Sequence, residues 1–137
     1  MELGHTVSVN EYNELRLKVG WEPIPDEQAA KGLANTTYIA VFRDNGRLAA
    51  MARMISDSGF VAFLTDVMVS PEYQGQGLGY KMIESIKTFI NTNIKEGQSV
   101  MLHVMSAKGK EGFYLKCGFE ERPSDRFGSG MSIRLAK

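Results

Sequence analysis

The sequence predicts an α/β chain, an α+β arrangement with a mixed sheet, and three observations carry that prediction. Short apolar runs of strand character alternate with segments of helical spacing. An Asn-Gly pair, Asn45-Gly46, separates two of the strand-like runs. After Val69 the rhythm turns helical and returns to strand near Val100. With 137 residues, 43% of them hydrophobic, the chain can build one core but hardly two, so a single domain over 1–137 is expected.

The elements follow in order. Ser8 with Glu11 three positions later is a capping box, starting a helix that carries Tyr12, Leu15 and Val19 on one face and ends near Gly20. Pro25, Asp26 and Glu27 open a second helix, from about Pro25 to Leu33: proline suits a first turn, and acids favour its positive end. The run Tyr38–Arg43 and the run Leu48–Ile55 flank Asp44-Asn45-Gly46-Arg47 as a hairpin. A further turn at Ser56–Gly59 leads into the long apolar strand Phe60–Val69. Leu78, Met82, Ile83, Ile86, Phe89 and Ile90 then follow helical spacing, with Lys81, Glu84, Lys87 and Asn91 opposite. Val100–Met105 reads as a buried strand, Lys110–Lys116 as a short helix stopped by Gly118, and Met131–Leu135 as a final strand.

Composition narrows the function. Sixteen basic and sixteen acidic residues cancel, so no global field draws the chain to nucleic acid or an anionic membrane. One cysteine, Cys117, excludes an intrachain disulfide, and no apolar run approaches the roughly 18 residues of a membrane span. Met1-Glu2-Leu3-Gly4-His5 lacks the basic start and apolar core of a signal peptide, so a reducing cytoplasm is expected. Two scattered histidines and one cysteine give no metal-ligand spacing, so no metal is expected, and no Ser/His/Asp set with an elbow motif occurs.

The chemistry points to Ser70-Pro71-Glu72-Tyr73-Gln74-Gly75-Gln76-Gly77-Leu78-Gly79, between a strand and a helix, with glycine at every second position near its end. Glycines let a backbone turn tightly and bring its N–H groups to a ligand, and the following helix offers unpaired donors and a partial positive charge. Such a site suits phosphate. Three glycines would also serve merely to close a tight turn. A P-loop needs Gly-Lys-Ser/Thr, and a dinucleotide fingerprint needs a first strand and an acid about 20 residues on; neither context is present.

The segment Gln74-Gly75-Gln76-Gly77-Leu78-Gly79 fits Gln/Arg-x-x-Gly-x-Gly/Ala, and in this it resembles the acetyl-CoA signature of the GNAT superfamily of N-acetyltransferases. The lead-in Asp66-Val67-Met68-Val69-Ser70-Pro71-Glu72-Tyr73 resembles that family's strand and proline-containing loop. Gly112-Phe113-Tyr114-Leu115-Lys116-Cys117-Gly118-Phe119 resembles its aromatic-Tyr-x-x-x-Gly-Phe element. The resemblance covers Tyr38 to Phe119 and implies a central, mostly antiparallel sheet of about six or seven strands flanked by about four helices.

It implies acetyl-CoA as cosubstrate, with pyrophosphate on the backbone amides of Gln74, Gly75, Gln76, Gly77, Leu78, Gly79 and Tyr80. Pantetheine would lie along the backbone of Val67, Met68 and Val69, one of whose amides would polarise the thioester carbonyl. Tyr114 resembles the family's proton donor; Phe113 and Tyr114 would otherwise be core aromatics. Many relatives carry a carboxylate where this chain has Leu102 and His103, so Asp66, an acid inside the apolar run Phe63–Val69, is the candidate general base, relaying a proton through water; a structural pairing is its other reading. The asparagine often found seven residues before the tyrosine is here Ala107.

The acceptor is expected to be a primary amine of a small molecule, and the glycine-rich run particularly resembles arylalkylamine-type members. A lysine or amino-terminal protein acetyltransferase and a non-catalytic acetyl-CoA sensor are the alternatives. Tyr12, Trp21, Tyr38 and Phe127 are candidates to line an amine pocket, and Glu22, Asp26 and Asp57 to attract a cation, although core packing accounts for the aromatics equally well. Relatives commonly dimerise, in some cases by exchanging or pairing their last strands, so Met131–Leu135 is a candidate homodimer contact.

Overall fold

Five strands make one sheet in chain order: β1 (Glu2–Gly4), β2 (Tyr38–Asp44), β3 (Arg47–Ser56), β4 (Val61–Val69) and β5 (Met101–Val104). The computed structural model describes residues 1–137, which divide into two units, Met1–Val104 and Met105–Lys137. The whole sheet lies in the first unit. Its first four strands are antiparallel neighbours, and β5 alone runs parallel to β4, from Val61↔Met101 to Leu64↔Val104. A parallel neighbour requires a crossover, which the helix α3 (Leu78–Asn93) provides.

Local chemistry explains each junction. Ser8 accepts the Glu11 backbone N–H at 3.1 Å while the Glu11 carboxylate takes the Ser8 N–H at 2.9 Å, which closes the capping box of α1 (Val9–Lys18). The same carboxylate receives two bonds from Arg43 on β2, at 3.0 and 2.9 Å. These Arg43 bonds, foremost, hold the Glu11 carboxyl below its ordinary value of 4.5. A depressed carboxylate stabilises the fold above its unfolded value and loses that contribution as pH falls through the folded one, so this link weakens in acid. Ser8→Ala is expected to cost about 1 kcal/mol, lowering the thermal midpoint by about 4 °C in a calorimetric scan.

Helix α2 (Asp26–Ala34) begins after Pro25, one residue later than expected. The β2–β3 turn places Asn45 at φ 48° and Gly46 at φ 80°, the two positive values that a type I′ hairpin demands. On one face of the sheet, Val41, Met51 and Met68 form a row against Tyr12 and Leu15 of α1 and Ala29 of α2. Strand alternation turns Ala40, Ala50 and Ala52 to the other face. All three are fully buried, and α3 packs on β2, β3 and β4 with Met82, Ile83 and Ile86 buried. Burial on both faces is why half of β3 reads as one continuous run, 48–52, and not as an alternation.

The second unit contains α4 (Glu111–Lys116) and a turn in which the Ser124 N–H bonds to the Phe127 carbonyl at 2.8 Å. Two expectations need correction. The sheet has five strands in place of six or seven, and Met131–Leu135 forms no strand: Met131, Ile133 and Leu135 are 91, 83 and 83% exposed. Alternation supplies strand propensity, but a strand exists only where a ladder pairs it. Conversely β1, with a single apolar residue among three, carries no pattern and is held by pairing with β2 from Glu2↔Arg43 to Gly4↔Val41.

Candidate functional site

Strand β4 is irregular where it passes β3. Against β3 the register runs Arg53↔Thr65 and then Met51↔Met68, so two residues, Asp66 and Val67, face Ala52 alone. This is a β-bulge, and Asp66 takes φ 51°, in the left-handed region. The bulge lies just past Leu64↔Val104, the last pair between β4 and β5. From Thr65 to Val69 the edge of β4 away from β3 has no strand beside it.

Which groups face that open edge follows from alternation. The Ser70 N–H bonds to the Ala49 carbonyl on β3 at 2.8 Å, so Met68, opposite Met51, also turns its backbone toward β3. Val67 and Val69 turn theirs to the open edge. The Val69 carbonyl there accepts the Gln74 side-chain amide at 3.0 Å, leaving its N–H outward. Met68 is therefore no candidate to bond a ligand along this edge, a correction to the expectation of three contiguous contacts; its side chain is core, 1% exposed.

Beyond β4 the chain makes a 3-10 turn at Pro71–Tyr73, fixed by the Ser70 hydroxyl donating to Glu72 and by Tyr73 donating to Asp44 at 2.8 Å. Gly75 and Gly77 take φ 76° and 79°, and Gly77 is the N-cap of α3. A side chain is strained at such angles, which gives these two glycines their function. The first bond of the helix is Lys81 N–H to the Gly77 carbonyl at 3.1 Å, so the N–H groups of Leu78, Gly79 and Tyr80 precede it. No acid lies in the first turn and no side chain caps it. Gln74, Gly75, Gln76, Gly77 and Tyr80 are exposed, and Leu78 is buried beneath them. The arrangement leaves exposed backbone donors at a helix N-terminus, a geometry that suits an anion, on the same strand-loop-helix unit as the free edge of β4.

Asp66 is buried and fully engaged. One carboxylate oxygen accepts Tyr12 Oη at 2.8 Å and Arg53 Nε at 2.6 Å; the other accepts Arg16 at 3.2 Å. The pairing reading of this acid is thus the one with geometry behind it. His103 on β5 packs its ring against Phe63, with centroids 5.0 Å apart.

The second unit explains the other motif. The Gly118 N–H bonds to the Leu115 carbonyl and the Phe119 N–H to the Tyr114 carbonyl, both at 3.1 Å, with Gly118 at φ 98°. This is a Schellman motif closing α4, and the Tyr114 and Phe119 rings make its hydrophobic contact edge-on at 5.7 Å. The spacing Tyr-x-x-x-Gly-Phe is therefore a helix C-cap that fixes the tyrosine between Phe113 and Phe119. Burial, with the nearby Cys117 as a smaller cause, pushes the Tyr114 phenol up to about 12.

The residues offered as an amine pocket are otherwise employed. Tyr12 binds Asp66; Trp21 lies under the Arg16 guanidinium at 5.4 Å; Tyr38 stacks on Phe89 at 4.5 Å and shares a hydrogen bond with Ser85; Phe127 lies under Arg122 at 4.2 Å. Glu22, Asp26 and Asp57 are exposed. A surface cavity of about 320 Å³ is lined by Glu11, Glu14, Leu15, Lys18, Gly46, Arg47 and Leu48, none of them on β4 or the glycine-rich turn.

Comparison with known proteins gives this geometry its family. The acetyltransferase (GNAT) domain family matches residues 35–121. Among curated proteins the chain is similar to the histone acetyltransferase TAP1 of Glycine max, 36% identical over 132 residues, covering 88% of this chain and 55% of that protein. The chain spans about half the length of the first curated relatives it matches. Among solved structures it is similar to a protein of unknown function, a probable acetyltransferase, from meticillin-resistant Staphylococcus aureus, with a TM-score of 0.87, 30% identity and 98% of both chains covered. The fold also matches glucosamine-6-phosphate N-acetyltransferase from Arabidopsis thaliana, with a TM-score of 0.62 and 18% identity over 100% of this chain and 98% of that one. The chain belongs to the GNAT family of acetyltransferases, whose cosubstrate is acetyl-CoA.

Proposed function

We propose that this protein transfers the acetyl group of acetyl-CoA to a primary amine of a small molecule. The observation that carries the proposal is the set of exposed backbone donors at the start of α3, continuous in sequence with a β4 edge that no strand covers. The pyrophosphate fits the exposed amides of the Gln74–Tyr80 turn, and pantetheine fits beside Val67 and Val69 as a surrogate strand. The Val69 N–H is the donor assigned to the thioester carbonyl.

The reaction needs little else. The neutral amine attacks the thioester carbon, the tetrahedral oxyanion forms against the Val69 N–H, and its collapse breaks the C–S bond. The departing thiolate takes a proton from the phenol of Tyr114, and the proton lost by the amine returns through water to that phenolate and restores the donor. A phenol pushed up to about 12 keeps its proton throughout the physiological range. No sequence feature marks a docking surface for a macromolecule, and the formal charge of zero offers no field for one, which favours a small acceptor.

Protein acetylation is the second reading, supported by the 36% identity to a plant protein named as a histone acetyltransferase. A thiol-release assay with aryl amines, polyamines, amino sugars, amino acids and lysine peptides separates the two. Turnover concentrated on one small amine is the expected result. Turnover on peptides alone would move the assignment to protein acetylation, and binding without turnover on any acceptor would favour a sensor. The exposed alternation Met131, Ile133, Leu135 supports a homodimer through this segment. Light scattering should then show twice the chain mass, reverting to one on replacing the three residues by serine; a wild-type monomer contradicts it.

A further inference from the structure

The bulge in β4 carries a cost that the chain bears with a buried ionic cluster. A non-glycine residue in the left-handed region is strained by about 1 kcal/mol or more and persists where its surroundings enforce it. Aspartate tolerates the conformation better than most side chains. Here the enforcement comes from two sides: Tyr12 and Arg16 from α1, and Arg53 from β3, all on the Asp66 carboxylate. The side chains of Arg16, Arg53 and Asp66 are only 15, 14 and 8% exposed. Two partly buried guanidiniums against one buried carboxylate form an expensive arrangement, and an apolar contact would fill the space more cheaply.

Its position supplies the reason. Asp66 immediately precedes Val67, the first residue to turn its backbone to the open edge, and lies two residues past the last pair with β5. The bulge changes which face each later residue occupies: the buried even positions before it, Ala62 and Leu64, lie opposite in facing to Met68 after it. The cluster also reaches outward. Arg16 donates to the Glu22 carbonyl at 2.7 Å, and Arg53 to Thr36 Oγ1 at 3.0 Å and the Gly32 carbonyl at 3.3 Å. The α1–α2 loop and the end of α2 are thereby tied to the bulge.

We propose that Asp66, held by Tyr12, Arg16 and Arg53, is a positioning residue for acetyl transfer: it fixes the β4 bulge that aims the Val67 and Val69 backbone at the thioester. This rests on the acetyl-CoA reading above, and it replaces the proton-relay role expected of Asp66, because both carboxylate oxygens are already occupied by donors. The peg acts on the reacting carbonyl and not on the pyrophosphate, which is held separately at α3.

The test compares wild type with Asp66→Gly, which keeps the left-handed backbone and removes the peg, Asp66→Asn, which keeps a hydrogen-bond acceptor, and Tyr12→Phe, which removes one donor and keeps the ring. The expected result is a kcat at least about tenfold lower in Asp66→Gly with acetyl-CoA Kd within about twofold of wild type. The deficit should be the same factor across the pH profile, with Asp66→Asn and Tyr12→Phe falling between. A deficit that shrinks with rising pH, with Asp66→Asn as poor as Asp66→Gly, would mark a general base and overturn the positioning role. Unchanged kcat in folded Asp66→Gly, or in Tyr12→Phe should Asp66→Gly not fold, would overturn it equally. Failure of wild type to bind acetyl-CoA would remove the underlying reading and this inference with it, whereas wild-type binding and turnover with unaffected variants would remove the inference alone.

Discussion

Gly77→Val is expected to weaken acetyl-CoA binding by at least about tenfold, measured as Kd by calorimetry. Gly77 sits at φ 79° as the N-cap of α3, where a β-branched residue costs on the order of 1–2 kcal/mol of backbone strain. The variant relieves that strain by rotating the cap, which turns the Leu78, Gly79 and Tyr80 amides away from a common anion. Nothing lies within 4 Å of a Cβ built at this position, so the loss is one of backbone geometry and not of core packing. Gly46→Val is the control: it imposes the same strain at φ 80° in the hairpin turn and should lower the thermal midpoint while leaving Kd unchanged.

Tyr114→Phe is expected to lower kcat about 100-fold or more with little change in acetyl-CoA affinity, since phenylalanine keeps the edge-on contacts with Phe113 and Phe119 and loses only the acid. Unaltered turnover would exclude Tyr114 as donor. The same substitution has a signature in stability. A phenol whose folded value is raised to about 12 from an ordinary 10.0 holds its proton more tightly folded than unfolded. That stabilisation is complete below the unfolded value and disappears as pH rises through the folded one. Wild type should therefore lose on the order of 2 kcal/mol from this group between about pH 10 and 12, a loss that Tyr114→Phe abolishes. Tyr12, raised first by burial and then by Asp66, adds an alkaline loss of its own that remains in the variant.

These two residues were visible in the sequence because their constraints are local. A capping box at Ser8, a type I′ turn at Asn45-Gly46, positive φ at Gly75 and Gly77 and a Schellman cap at Gly118 are each set by residue types within a few positions, so the spacing alone carries them. Asp66 shows the limit. Its presence in an apolar run signalled a special acid, but its partners lie 54, 50 and 13 residues away in sequence, and no local pattern reveals that Tyr12, Arg16 and Arg53 converge on it. The bulge is equally silent, because one extra residue in β4 is defined only against β3. The turning of Met68 away from the open edge follows from that register and from nothing nearer.

The edges of the fold are illegible in the sequence for the complementary reason. β1 exists because β2 pairs it, although its own residues show no alternation, and Met131–Leu135 alternates well but has no ladder within the chain. Pairing is a property of two segments, and a single segment's pattern states only half of it.

The most direct test of the central claim is a calorimetric titration of the wild-type protein with acetyl-CoA, run beside acetyl-pantetheine, which has the thioester arm but no pyrophosphate. The structure predicts one site per chain for acetyl-CoA and binding at least about 100-fold weaker for acetyl-pantetheine, because the anion site at α3 then stands idle. Equal affinity for the two, or no binding of acetyl-CoA, would contradict it.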